Sequence, residues 1–87
     1  MTPEEIRAKL ATIIAEKIGS RISAAHVHWE TRLRDDLGID SLAVAELMYE
    51  IEETFGTTLE ETEPGALVTV RDAVYAIARE LQVPLAS

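Results

Sequence analysis

Between Asp40 and Gly56 the apolar residues Val44, Leu47, Met48, Ile51 and Phe55 recur at steps of three and four. That spacing places them on one stripe of an amphipathic helix, which needs a second apolar surface to cover it. The ends of this helix are written as clearly as its middle. Asp40 offers a short acceptor side chain just before the first apolar turn, the signature of an N-cap. Gly38 lets the chain turn tightly into the helix, and Gly56 ends it. The pattern therefore predicts a helix from about Ser41 to Phe55, with Ser41 exposed at its first position. The start of a helix carries partial positive charge and favours a phosphate.

Two further helical stripes supply the covering surface. Thr2-Pro3-Glu4-Glu5 reads as a helix start, with Thr2 as N-cap, proline in the first turn and Glu5 placed to close a capping box. Ile6, Leu10, Ile13, Ile14 and Ile18 continue that pattern, and Gly19 reads as its stop. Thr69-Val70-Arg71-Asp72 is a second cap signature, followed by Val70, Val74, Ile77, Ala78 and Leu81. Pro84 prevents extension. Between these helices, Pro64 opens one short turn whose apolar side is Ala66, Leu67 and Val68. The stretch from Ser20 to Asp40 is long for a connection in a small domain, and such loops are functional or packed by their own side chains. Ile22, Val27, Trp29, Leu33, Leu37 and Ile39 are the anchors available to hold it down. The expected fold is all-α: residues 1–87 as one small antiparallel bundle of four helices, three longer and one short.

Composition narrows the function. The 87 residues contain no cysteine, so disulfides, thiolate catalysis and cysteine-ligated zinc are excluded. No apolar run approaches the ~20 residues that span a bilayer, and no basic segment followed by an apolar run begins the chain, so the cytoplasm is the expected location. The net charge of −8 is concentrated: from Asp35 to Glu63 there are ten acids and no base. Nucleic-acid binding needs the opposite footprint. An acidic surface gathered around one segment suits steering toward basic partners. His26 and His28 lack a third ligand at useful spacing, so no metal is expected. Nucleophilic catalysis by Ser41 would need a base and an oxyanion hole around it, and the only histidines lie in the loop; no catalytic residue is assigned.

The segment Asp36-Leu37-Gly38-Ile39-Asp40-Ser41-Leu42, then Glu46-Leu47, then Ile51-Glu52-Glu53-Thr54-Phe55-Gly56, resembles the acyl carrier protein family. The resemblance continues to Thr69-Val70-Arg71-Asp72-Ala73-Val74 and Ile77, covering nearly the whole chain. It implies a carrier and not an enzyme. A phosphopantetheinyl transferase would move 4′-phosphopantetheine from coenzyme A to the Ser41 hydroxyl, beside the Asp40 cap. Acyl groups would then travel as thioesters on the new thiol, for fatty-acid, specialised lipid or polyketide synthesis. The sulfur that the sequence lacks would come with the arm.

Leu42, Ala45 and Tyr49, edged by Glu46, Glu52 and Glu53, form a second face of the central helix. An apolar centre with a charged rim is a docking surface, here for acyl-loading and acyl-processing enzymes with basic patches. Leu47, Met48, Ile51, Leu67 and Ile77 are the candidates for lining an acyl-sheltering core. The carrier is expected to be a monomer. Several residues depart from carriers of bulk fatty-acid synthesis: Ala43 replaces a usual acid, Leu33 a common phenylalanine, and Trp29, Arg32 and Arg34 are unusual additions. A dedicated carrier for a specialised lipid or polyketide pathway fits them at least as well as one for bulk fatty-acid synthesis. Asp40 before the serine, where peptidyl carriers have glycine, disfavours a peptidyl or aminoacyl carrier. An unmodified acidic adaptor that binds basic partner proteins is the reading from another class.

Ten acids within one segment repel one another. Raising ionic strength should therefore raise the melting temperature by screening that repulsion. A melting temperature indifferent to salt would show that the acids are already compensated.

Overall fold

The computed structural model describes residues 1–18, 23–59 and 62–84. Three α-helices carry the fold: α1 (Pro3–Ile18), α2 (Ser41–Phe55) and α3 (Val70–Leu81). Two single 3₁₀ turns lie in the connections, at Ala24–His26 and Pro64–Ala66. The short fourth helix expected from Pro64 is thus one tight turn. Of its expected apolar side only Leu67 is buried, while Ala66 and Val68 are exposed. The turn at Ala24–His26 has no counterpart in the sequence pattern. The expected stop at Gly19 and anchor at Ile22 lie outside the described residues.

Each helix begins where its cap chemistry puts it. Glu5 Oε1 accepts from Thr2 N–H at 2.7 Å and Thr2 Oγ1 accepts from Glu5 N–H at 3.2 Å, a reciprocal box at the start of α1. The bonds from the Thr2 backbone and side chain hold the Glu5 carboxyl below its ordinary pKa of 4.5. At α3 the box is Thr69 with Asp72. Asp72 Oδ2 does more than close it, because it also accepts the N–H of Val68 at 3.1 Å. Gly56 ends α2 with φ of 66°, in the left-handed region. No atom lies within 4 Å of where a Cβ would stand there, so conformation, and not space, calls for glycine at this position.

The helices meet over a core whose buried members, among the described residues, are all apolar. Ile6, Leu10 and Ile14 of α1, Leu47 and Ile51 of α2, and Val70, Val74 and Ile77 of α3 are fully enclosed. Ala73, Ala76 and Ala78 allow close approach on α3. Among the described residues no buried side-chain polar atom lacks a partner, and apolar burial contributes roughly 25 cal/mol per Å² removed from water.

The long first connection is part of this core. Val27, Leu33, Leu37 and Ile39 are buried in it, and Trp29 is half-buried. Its backbone is strapped to the start of α3. Leu33 N–H donates to Val68 C=O at 2.9 Å, Val70 N–H to Thr31 C=O at 2.9 Å, and Arg71 N–H to Trp29 C=O at 3.0 Å. An isolated antiparallel bridge pairs Arg32 with Thr69. Side chains reinforce the strap. The Arg71 guanidinium lies 5.2 Å from the Trp29 ring centroid and 5.9 Å from that of Tyr75, and its Nη2 meets Glu30 Oε1 at 2.5 Å. The Glu30 bond, then that to the Tyr75 hydroxyl, raises the Arg71 pKa above its ordinary value.

Because one Asp72 carboxylate serves two backbone donors, Asp72→Ala should cost about 1–2 kcal/mol, at the upper end for a lost helix cap. Urea denaturation of the variant against the parent measures it. Thr69→Ala, which removes only the reciprocal partner, should cost less.

Candidate functional site

Residues 32–40 form a compact turn that presents the start of α2 at one end of the bundle. Asp36 Oδ2 accepts from Arg32 N–H at 2.7 Å, Gly38 N–H donates to Arg34 C=O at 2.9 Å, and Ile39 N–H donates to Leu33 C=O at 2.9 Å. Gly38 adopts φ of 70°, which reverses the chain toward the helix. Asp40 then stands in extended conformation as N-cap, its Oδ1 accepting from Ala43 N–H at 2.8 Å and its carbonyl from Val44 N–H at 2.8 Å.

Ser41 is the first residue of α2 and is exposed. The Arg34 guanidinium donates to its Oγ. Beside it runs a cleft of about 220 Å³ between the start of α2 and the Pro64–Ala66 turn, floored by Val44, Leu67 and Val68 and rimmed by Arg32, Arg34 and Asp35. An exposed primary hydroxyl, a cation at the same oxygen and an adjoining hollow with an apolar floor make a place where a phosphate ester on a flexible chain fits. The helix start adds partial positive charge, worth roughly 0.3–1 kcal/mol for a nearby anion.

The residues expected on the second face of α2 differ in exposure. Leu42 is 71% exposed and Tyr49 63%, and Ala45, Glu46 and Glu53 are exposed beside them. Two of the acids have internal partners. Glu46 Oε1 lies 3.1 Å from Lys17 Nζ of α1. Glu52 is half-buried, and its carboxylate accepts from Leu59 N–H at 2.7 Å. It pins the loop that follows α2 and sets the buried Leu59 into the core. On the opposite face of α2, Leu47 and Ile51 are buried in the core that also holds Ile77 of α3 and Leu67, and Met48 is half-buried against that core. His26 Nδ1 lies 2.9 Å from Ser23 Oγ, and His28 is exposed.

Residues 8–74 match the family model described as the phosphopantetheine attachment site. The acyl carrier protein of an Exiguobacterium species is 37% identical over 81 residues, which cover 93% of this chain and all of that one. The chain belongs to the acyl carrier protein family. The acyl carrier protein of Thermotoga maritima is likewise 37% identical, over 90% of this chain and 94% of its own length. A solved acyl carrier protein from Enterococcus faecalis, described for its thermal stability, superimposes with a TM-score of 0.72 at 35% identity, covering 92% of this chain and 99% of that one. The chain is thus a carrier whose prosthetic group is covalently attached 4′-phosphopantetheine. No helix among the described residues is long and apolar enough to cross a membrane.

Three features of this carrier's site escape the sequence pattern. The charge beside the motif is legible from Arg32 and Arg34, but not the contact of Arg34 with Ser41, which depends on how residues 32–40 curl. Leu59 sits in a polar stretch without periodicity. Glu52 has the spacing of a surface acid, and only the return of the chain after Gly56 gives it a backbone donor.

Glu52→Ala should therefore destabilise the fold by about 0.5–1.5 kcal/mol through loss of the Leu59 anchor. Glu53→Ala should stay within about 0.5 kcal/mol of the parent. Parallel thermal melts of the two variants distinguish an acid that holds a loop from one that only faces solvent.

Proposed function

We propose that Ser41 carries the phosphopantetheine arm of this acyl carrier protein, and that the chain catalyses nothing itself. The observation that carries the assignment is an exposed Oγ at the first residue of α2, capped from behind by Asp40. A phosphopantetheinyl transferase would join this oxygen to the β-phosphorus of coenzyme A. The hydroxyl loses its proton, a new P–O bond forms, and the bond to the nucleotide breaks with the electron pair leaving on adenosine 3′,5′-bisphosphate. When loaded, the arm supplies the thiol that this cysteine-free chain lacks.

Acyl-loading and acyl-processing enzymes dock, in this reading, on Leu42, Ala45 and Tyr49, with Glu46 and Glu53 meeting their basic residues in the cytoplasm. Glu52 stands at the edge of the patch, its carboxylate already engaged. Docking by a small apolar centre and a charged rim is fast and short-lived. That suits a carrier that must leave each partner, because the tether keeps the substrate at high effective concentration while bound. Leu47, Met48, Ile51, Leu67 and Ile77 line the interior nearest the acyl group, and Met48 is a deformable filler.

Incubation of the protein with coenzyme A, magnesium and a broad-specificity transferase should add the mass of one phosphopantetheine. Ser41→Ala should add none while melting like the parent. Addition that persists in Ser41→Ala moves the arm elsewhere. No addition with several transferases returns the protein to the role of an unmodified acidic adaptor.

A further inference from the structure

Among the described acids and bases around Ser41, one cation has no carboxylate partner within that set. Arg32 Nη1 pairs with Asp35 Oδ2 at 3.2 Å. The Asp36 carboxylate accepts the Arg32 backbone N–H, and that of Asp40 the Ala43 N–H. Arg34 is absent from every ion pair among the described residues, and its guanidinium donates to the Ser41 Oγ. Its root is fixed. Gly38 N–H holds its carbonyl, and its neighbour Leu33 is fully buried and bonded through its backbone to both Val68 and Ile39. A guanidinium is planar, always charged and matched to two oxygens of a phosphate. In this chain such a group stands against the oxygen that modification would turn into a phosphate ester, on the rim of the cleft floored by Val44, Leu67 and Val68.

From this placement we infer that Arg34 is a positioning residue for the prosthetic arm. It exchanges its bond to the serine hydroxyl for the phosphodiester oxygens once Ser41 is loaded. Holding the phosphate here fixes the root of the arm where the two hollows beside Ser41 meet. Arg34 lines both the cleft by Leu67 and Val68 and the open hollow by Gly38 and Leu42, so the hold acts on the phosphate and not on the course of the arm beyond it. The inference rests on Ser41 as the attachment point, and its test separates the two.

The parent, Arg34→Gln, Arg34→Lys and the exposed control Arg79→Gln are each prepared without and with the arm, loading being verified by mass. Thermal midpoints and the ³¹P spectrum of the loaded forms are then recorded. Loading should shift the midpoint of Arg34→Gln by about 2–4 °C less than that of the parent, the scale of a modest surface charge pair in a domain of this size. Arg34→Lys should retain part of the difference, and 0.5 M salt should remove it, as on the order of a 4 Å screening length requires. The ³¹P resonance should move in Arg34→Gln and stay put in Arg79→Gln. Equal loading shifts in parent and Arg34→Gln, or a phosphorus resonance indifferent to Arg34, overturn the inference while leaving Ser41 as the attachment point. A parent that gains no phosphopantetheine mass overturns both.

Discussion

The functional end of this molecule depends on one backbone strap. Leu33 is fully buried, and its amide and carbonyl are both used, the first by Val68 and the second by Ile39. This fastens the long first connection to the start of α3 and hands the chain on to Asp40. Without it, three helices would still have apolar faces to share, but nothing would fix where α2 begins relative to the cleft or to Arg34. The strap has the hydrogen-bond pattern of a short antiparallel ladder embedded in a helical fold. It satisfies backbone groups that a buried loop would otherwise leave unpaired, which is the condition for burying a loop at all.

Much of this was legible in the sequence, and the boundary of legibility has a physical cause. The three helices and their caps are local: Thr2 with Glu5, Asp40 before Ser41, Gly56 after Phe55 and Thr69 with Asp72 each act within a few residues. The apolar stripes of α1, α2 and α3 likewise follow from periodicity. The placement of Ser41 at the first position of α2 belongs to the same class. What sequence spacing does not encode is pairing across long separations. Trp29, Glu30 and Arg71 meet only because the strap aligns them, and Lys17 meets Glu46 only because α1 packs on α2. The Pro64–Ala66 turn was marked by its proline, but a single turn is too short to show which side faces inward, and only Leu67 does.

The electrostatics read differently once the chain is folded. From composition the central segment is a run of uncompensated acids. In the fold, Asp35, Asp36, Asp40, Glu46 and Glu52 each accept from a donor, whether Arg32 or Lys17 or a backbone N–H. Asp36, Asp40 and Glu52 keep their charge toward a distant partner, since a backbone hydrogen bond does not neutralise it, whereas Arg32 and Lys17 offset Asp35 and Glu46. Fewer acids than the count suggests face solvent without an internal contact; among the described residues Glu53, beside the exposed Leu42, Ala45 and Tyr49, is one of them.

Trp29, the chain's single tryptophan, stands edge-on to Tyr75 with ring centroids 6.4 Å apart and lies under the Arg71 cation. Its backbone carbonyl is also a rung of the strap. The indole therefore sits at the seam between the first connection and α3, where a parting of those two segments would change its neighbours and its exposure to water. The protein comes with its own optical gauge: the emission of one native side chain follows, without any added dye, how firmly the serine-bearing end is tied to the rest of the bundle.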